Sequence, residues 1–158
     1  KMTDSGKMGM VLLMVIGGSP GSTAGGMKTT TAAVLFAMAI SVFRKNEQAH
    51  LYNRRIAEET QRNAATIFVL YMMLFTGSAM FISYLEKVPL VTAFFETGSA
   101  IGTVGLSLGL TPTLCLASRL VLICLMFFGR VGGLTLIFAT VSGKRTEYKY
   151  PQEKINVG

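Results

Sequence analysis

LVTAFFETGSAIGTVGLSLGL (Leu90–Leu110) is apolar almost throughout, yet it carries Glu96 and glycines at 98, 102, 105 and 109. That many glycines oppose one straight helix, since each costs about 1 kcal/mol relative to alanine. The stretch therefore predicts a short helix followed by an extended, glycine-bearing segment. On its N-terminal side, Ala65–Leu85 contains no charge and is long enough to cross a bilayer, which takes about 20 residues. Glu86, Lys87 and Pro89 mark an interfacial turn between the two. On the other side, Thr111-Pro112 is expected to open a further helix, because proline is favoured in a first turn. That helix continues through Leu120–Val141, broken only by Arg130 and several glycines.

The composition agrees with a membrane setting. The 158 residues are 51% hydrophobic and only 15% charged, against about 25% charged in soluble domains. The net charge of +7 is not the basic face of a nucleic-acid binder. Most of the Lys and Arg residues fall in two polar stretches, 44–62 and 144–154, that flank apolar runs. This is the positive-inside pattern of cytoplasmic loops. A soluble enzyme, a disordered chain and a disulfide-stapled domain are all excluded, and no nucleic-acid partner is expected. In the first basic stretch a helix is expected to continue out of the membrane, with Glu58 and Arg62 spaced i,i+4. With both basic stretches on one side, an even number of crossings must join them. Ala65–Leu85 then runs outward, 90–110 dips in and returns, and the last helix runs inward. Cys115 and Cys124 read as small buried hydrophobes without metal spacing. The chain opens on Lys1, with no initiator Met or leader, and reads as part of something longer.

The first apolar region is interrupted. Met8–Ile16 and Met27–Phe43 flank GGSPGSTAGG, Gly17–Gly26. A lipid-exposed loop at that depth would leave backbone groups unsatisfied at several kcal/mol each, so the loop must be sheltered by protein or line water. Broken membrane helices of this kind mark transport pathways. Gly21–Thr29 falls one residue short of a phosphate-binding loop, because Met27 separates the second glycine from Lys28 and no strand precedes it. A nucleotide site is therefore not expected here.

Thr103-Val104-Gly105 matches the opening of the TVGYG filter motif of potassium channels, with Leu106-Ser107 where Tyr-Gly would stand. A glycine there lets carbonyls converge on an ion with no side chain in the way. Together with IGGSPGSTAGGMKTTT, FETGSAIGTVGLSLGLTP, FFGRVGGLTLIFA and the ending YPQEKINVG, the chain resembles the KtrB family. These are the membrane subunits of bacterial Ktr potassium transporters, in the Trk/Ktr/HKT superfamily, and the resemblance covers essentially the whole chain. It implies an all-α membrane protein with a potassium-channel-like helix–pore-loop–helix repeat, corresponding to the C-terminal third of a four-repeat subunit. Residues 1–43 would be the broken inner helix of the third repeat, with its intramembrane loop at 17–28. Residues 44–64 would be a cytoplasmic connection, 65–143 the fourth repeat, and 144–158 a cytoplasmic tail.

The resemblance also implies site roles. Gly102, Thr103, Val104, Gly105 and Leu106 would line the filter, holding K+ through carbonyls only. The gate would comprise Gly17, Gly18, Ser19, Pro20, Gly21, Ser22, Thr23, Ala24, Gly25, Gly26, Lys28 and Arg130. Potassium is the implied ion, with sodium a second candidate. The implied setting is the bacterial inner membrane, among lipid. The implied assembly is a homodimer on a cytosolic, KtrA-like regulatory ring, which binds nucleotide on the partner and not on this chain.

The residues themselves leave some choices open. Arg130 in mid-span costs about 2.5–3.5 kcal/mol unless it faces a polar cavity, and beneath a cation path it would be an electrostatic barrier. Its plainer alternative is an arginine bonded to helix-end carbonyls. Lys28 either bonds loop carbonyls or snorkels. Glu96 could attract cations, orient the filter, or simply satisfy nearby donors. Arg119 is expected to snorkel and His50 to be solvated. With one histidine and no catalytic set, the chain is not expected to be an enzyme. The competing functions are a structural membrane subunit, whose broken helix only packs, and an alternating-access carrier.

Overall fold

A computed structural model of the chain describes residues 2–44, 50–51 and 54–131. Five α-helices are present among them: α1 (Asp4–Val15), α2 (Thr29–Phe43), α3 (Glu58–Glu86), α4 (Leu90–Ile101) and α5 (Leu116–Val131). Residues 132–143 of the expected last helix and the tail 144–158 lie outside the described residues.

The N-terminal region is two helices, α1 and α2, separated by a loop where the composition predicts the break. α1 starts before the apolar run, at Asp4, because Thr3 caps it: its hydroxyl accepts the Gly6 N–H at 3.3 Å. The connection after α2 departs from expectation. Its backbone forms two very short antiparallel strands, β1 (His50–Leu51) and β2 (Arg54–Arg55), and helix resumes only at Glu58. Glu58 pairs with Arg55 at 3.7 Å rather than with Arg62.

α3 is the helix long and apolar enough to cross a membrane among the described residues. Its buried residues Ala64, Ile67, Tyr71, Phe75, Ala79 and Ile82 recur every three or four positions, making one packed stripe. The opposite face stays apolar: Met73, Met80 and Tyr84 are exposed. An apolar exterior on an amphipathic seam is the inverse of a soluble helix and calls for lipid or further protein around it.

The centre of the bundle is α4, which packs against α1, α3 and α5. It is buried continuously from Phe95 to Ile101, although it contains Glu96, Thr97 and Ser99. Thr97, fully enclosed, donates to the Ala93 carbonyl at 2.9 Å, which removes the cost of burying its hydroxyl. Phe94 meets Phe75 with ring centroids 5.1 Å apart. Between α3 and α4, Lys87 takes a left-handed cap conformation.

Two expectations around α5 are corrected. Thr111–Thr113 is a single 3₁₀ turn, and the α-helix begins only at Leu116 after an extended Leu114. The proline therefore opens a turn, because Leu114 breaks the helical path before a second turn can form. The cysteines are both exposed rather than buried. Cys115 precedes α5, and Cys124 sits off the inward stripe of that helix, which is made by Ser118, Leu122, Leu125 and Gly129.

Candidate functional site

The end of α4 turns abruptly into extended chain. The Thr103 N–H donates to the Ala100 carbonyl at 3.1 Å and the Val104 N–H to the Ser99 carbonyl at 2.9 Å. These bonds turn the N–H groups of Thr103 and Val104 back onto the helix end. The carbonyls of Gly102, Thr103, Val104, Gly105 and Leu106 receive no hydrogen bond among the described residues. Gly102 is buried, Thr103 half-buried and residues 104–106 exposed, so these acceptors are open to water or to a dehydrated cation, which carbonyls can coordinate. Gly105 has φ +84°, where a β-carbon would cost about 1–2 kcal/mol. Thr103 has φ +53° despite its branched side chain, an outlier that its surroundings must hold in place.

A buried carboxylate fixes the far end of this segment. Glu96 is 3% exposed. Its Oε1 accepts the Ser107 hydroxyl at 2.6 Å and the Leu108 N–H at 3.0 Å, and its Oε2 accepts the Thr111 hydroxyl at 2.8 Å. Ser107 in turn accepts the Gly109 N–H at 2.9 Å. Of the roles open to Glu96 on sequence, its geometry is that of a brace. One side chain ties the short helix to the chain that leaves the glycine segment.

The break between α1 and α2 is a closed loop. Ile16 and Met27 form an isolated parallel bridge at its neck, and the Gly17 N–H donates to the Met27 carbonyl at 2.7 Å. Ser19 to Ala24 are exposed, Gly17 and Gly18 half-buried, and Gly25 and Gly26 buried. Lys28 bonds loop carbonyls rather than snorkelling: its Nζ donates to Ala24 at 2.7 Å and to Ser22 at 3.5 Å. Three ties cross from this loop to the rest of the bundle. The Gly25 N–H donates to Thr103 Oγ1 at 2.8 Å, the Gly26 N–H donates to the Gly129 carbonyl at 3.1 Å, and Arg130 Nη1 donates to the Thr23 carbonyl.

The two residue groups singled out in the sequence, 102–106 and 17–28 with Arg130, thus meet in one place. They are 78 positions apart at the Gly25–Thr103 contact and 107 apart at Thr23–Arg130. Two side chains make contacts that the sequence does not specify. Tyr71 reaches across from α3 to the Phe128 carbonyl at 3.5 Å, where only a hydroxyl in mid-span hints at a polar partner. Arg119, expected to snorkel, donates to the Pro112 carbonyl at 2.7 Å and so holds the 3₁₀ turn.

The sequence profile of the TrkH family, described as cation transport protein, matches residues 1–148. The potassium/sodium uptake protein NtpJ of Enterococcus hirae is 40% identical over all of this chain, which covers 37% of that protein. The Ktr system potassium uptake protein B of Bacillus subtilis is 33% identical over 94% of this chain, covering 33% of that protein. Its counterpart from Vibrio alginolyticus is 32% identical over 94% of the chain, again covering 33%. The chain spans about a third of the length of these relatives.

Proposed function

The chain belongs to the TrkH family of cation transport proteins, whose members are membrane transporters and not enzymes, and from that premise we propose that it is part of the ion-conducting subunit of a Ktr-type potassium uptake system. The observation that carries this reading is the row of carbonyls at 102–106 that accept no hydrogen bond among the described residues, leading away from the buried end of α4 with Thr103 against the loop of 17–28. Potassium sheds its water against those carbonyls, as oxygen ligands that replace a hydration shell allow. The ion then passes when the loop and Arg130 withdraw. Arg130 and Lys28 place two fixed positive charges at the loop, a barrier to a cation while it is closed.

In this reading, residues 1–43 are the broken inner helix of a third repeat and 65–143 a fourth. The remainder of the parent protein supplies the other quarters of the pore. The helices lie in the bacterial inner membrane, with 44–64 and 144–158 on the cytoplasmic side. The parent works as a homodimer on a cytosolic ring that binds nucleotide. The printed names of the relatives, potassium uptake proteins and a potassium/sodium uptake protein, support potassium as cargo, with sodium a second ion.

The test is potassium uptake by an uptake-deficient bacterial strain that expresses the complete parent chain with its regulatory partner, native against Gly105→Ser. A β-carbon at φ +84° costs about 1–2 kcal/mol, so the preference for potassium over sodium is expected to fall by roughly tenfold, about 1.4 kcal/mol. Unchanged selectivity at equal membrane abundance would remove Gly105 from the ion path and the pore reading with it.

A further inference from the structure

We propose that the Thr103 hydroxyl is a latch that joins the carbonyl segment to the loop, so that the position of the loop and the ion affinity of the segment depend on each other. The proposal rests on the reading of 102–106 as filter and 17–28 as gate. It concerns a positioning residue, since Thr103 would act through the loop by its side chain while its carbonyl faces the ion.

Two features of the contact point to a latch. The first is the side chain's partner. Thr103 Oγ1 accepts the Gly25 N–H at 2.8 Å, and Gly25 is buried against it. A β-carbon at position 25 would come within 2.5 Å of both Thr103 Cγ2 and Oγ1, so the threonine side chain packs directly on the loop backbone. The second is the backbone of Thr103 itself. It holds φ +53°, a conformation that a branched residue keeps only when its neighbours impose it. One neighbour is the end of α4, through the Thr103 N–H to Ala100 bond. The other is the loop, through Gly25. If the loop withdraws, Thr103 loses the second restraint while its carbonyl sits in the ion path.

Two other ties hold the loop, from Gly26 to Gly129 and from Thr23 to Arg130, and both run to α5. Among the described residues, the Gly25 bond is the loop's hydrogen bond to the 102–106 segment, beside the close approach of Gly26 to the Gly102 backbone. It is the directed contact through which an ion at the carbonyls and the loop sense each other. Such coupling is reciprocal: whatever the loop does to ion affinity, the ion does to the loop equilibrium.

The experiment uses the complete parent chain with its regulatory partner in the uptake-deficient strain. Maximal rate and half-saturating potassium are measured at matched membrane abundance. Thr103→Val keeps the shape and removes the acceptor, whereas Thr103→Ser keeps the hydroxyl. Thr103→Ala replaces the valine variant should that one fail to reach the membrane. Losing one neutral hydrogen bond is expected to raise the unstimulated rate roughly two- to tenfold. Half-saturating potassium should shift in the same variant, and Thr103→Ser should restore both. On a background with the loop shortened between 19 and 25, Thr103→Val should produce no further shift. An equal shift on both backgrounds would overturn the latch and leave the gate standing. A valine variant that matches the native protein in both parameters would also overturn it. A loop-shortened protein with native flux would bring down the gate reading, and the latch with it.

Discussion

Gly129→Ala is expected to abolish uptake by the parent protein. A β-carbon built at Gly129 collides with the Ile101 carbonyl oxygen and lies 2.9 Å from the carbonyl carbon and 3.2 Å from the Cα of the same residue. All three are backbone atoms at the end of α4, so no rotamer change relieves the clash. α4 cannot retreat either, since its residues Phe95 to Ile101 are enclosed by α1, α3 and α5. The last helix must move instead, and Gly129 is where it receives the Gly26 N–H, with Arg130 beside it on Thr23. Overpacking of this kind costs about 1–3 kcal/mol, and here it also undoes the two ties that hold the loop to α5. Uptake and the melting temperature of the purified parent protein in detergent are the measurements. Native uptake with unchanged melting would mean that α5 can shift freely and that its close approach to α4 is dispensable.

What could be read from the residues follows from the range of the forces involved. The spans and breaks are local. An uncharged run such as Ala65–Leu85, or ten loop-forming residues in an apolar helix, carries its message in adjacent positions. Arg130 was also legible, because a lone charge in an apolar run has few tolerable environments. The partners were not. Nothing near Lys28 distinguishes a lysine that bonds Ala24 from one that reaches the headgroups, since both need only a flexible stem. The pairing of 50–51 with 54–55 and the extended Leu114 that delays α5 arise from how neighbouring elements are placed rather than from propensity. The exposure of Cys124 depends on which face α5 turns to α4, and the apolar run around it does not announce that face. Glu96 shows the limit most clearly. Its acidity was visible, but its three donors lie 11, 12 and 15 positions away, beyond the reach of any helical or strand periodicity.

Substitutions at Glu96 separate a brace from an electrostatic lure for cations. Glu96→Ala leaves the Ser107 hydroxyl, the Leu108 N–H and the Thr111 hydroxyl without their acceptor. All three bonds are partly buried, and each unsatisfied buried donor costs about 1–3 kcal/mol. Ser107 and Thr111 recover part of that through their mutual contact at 3.1 Å. A net loss of about 2–4 kcal/mol is expected, seen as a lower melting temperature and a flattened preference for potassium over sodium. Glu96→Gln should be much milder. Its amide oxygen can take the place of Oε1 and keep the Ser107 and Leu108 bonds, while the Thr111 hydroxyl turns to accept from the amide NH₂. The ordering is the decisive readout. Alanine far worse than glutamine means that acceptor geometry holds the segment. Glutamine as damaging as alanine, at preserved melting temperature, would mean that the negative charge itself is required. Glu96 would then be an attractor of cations rather than the brace its hydrogen bonds describe.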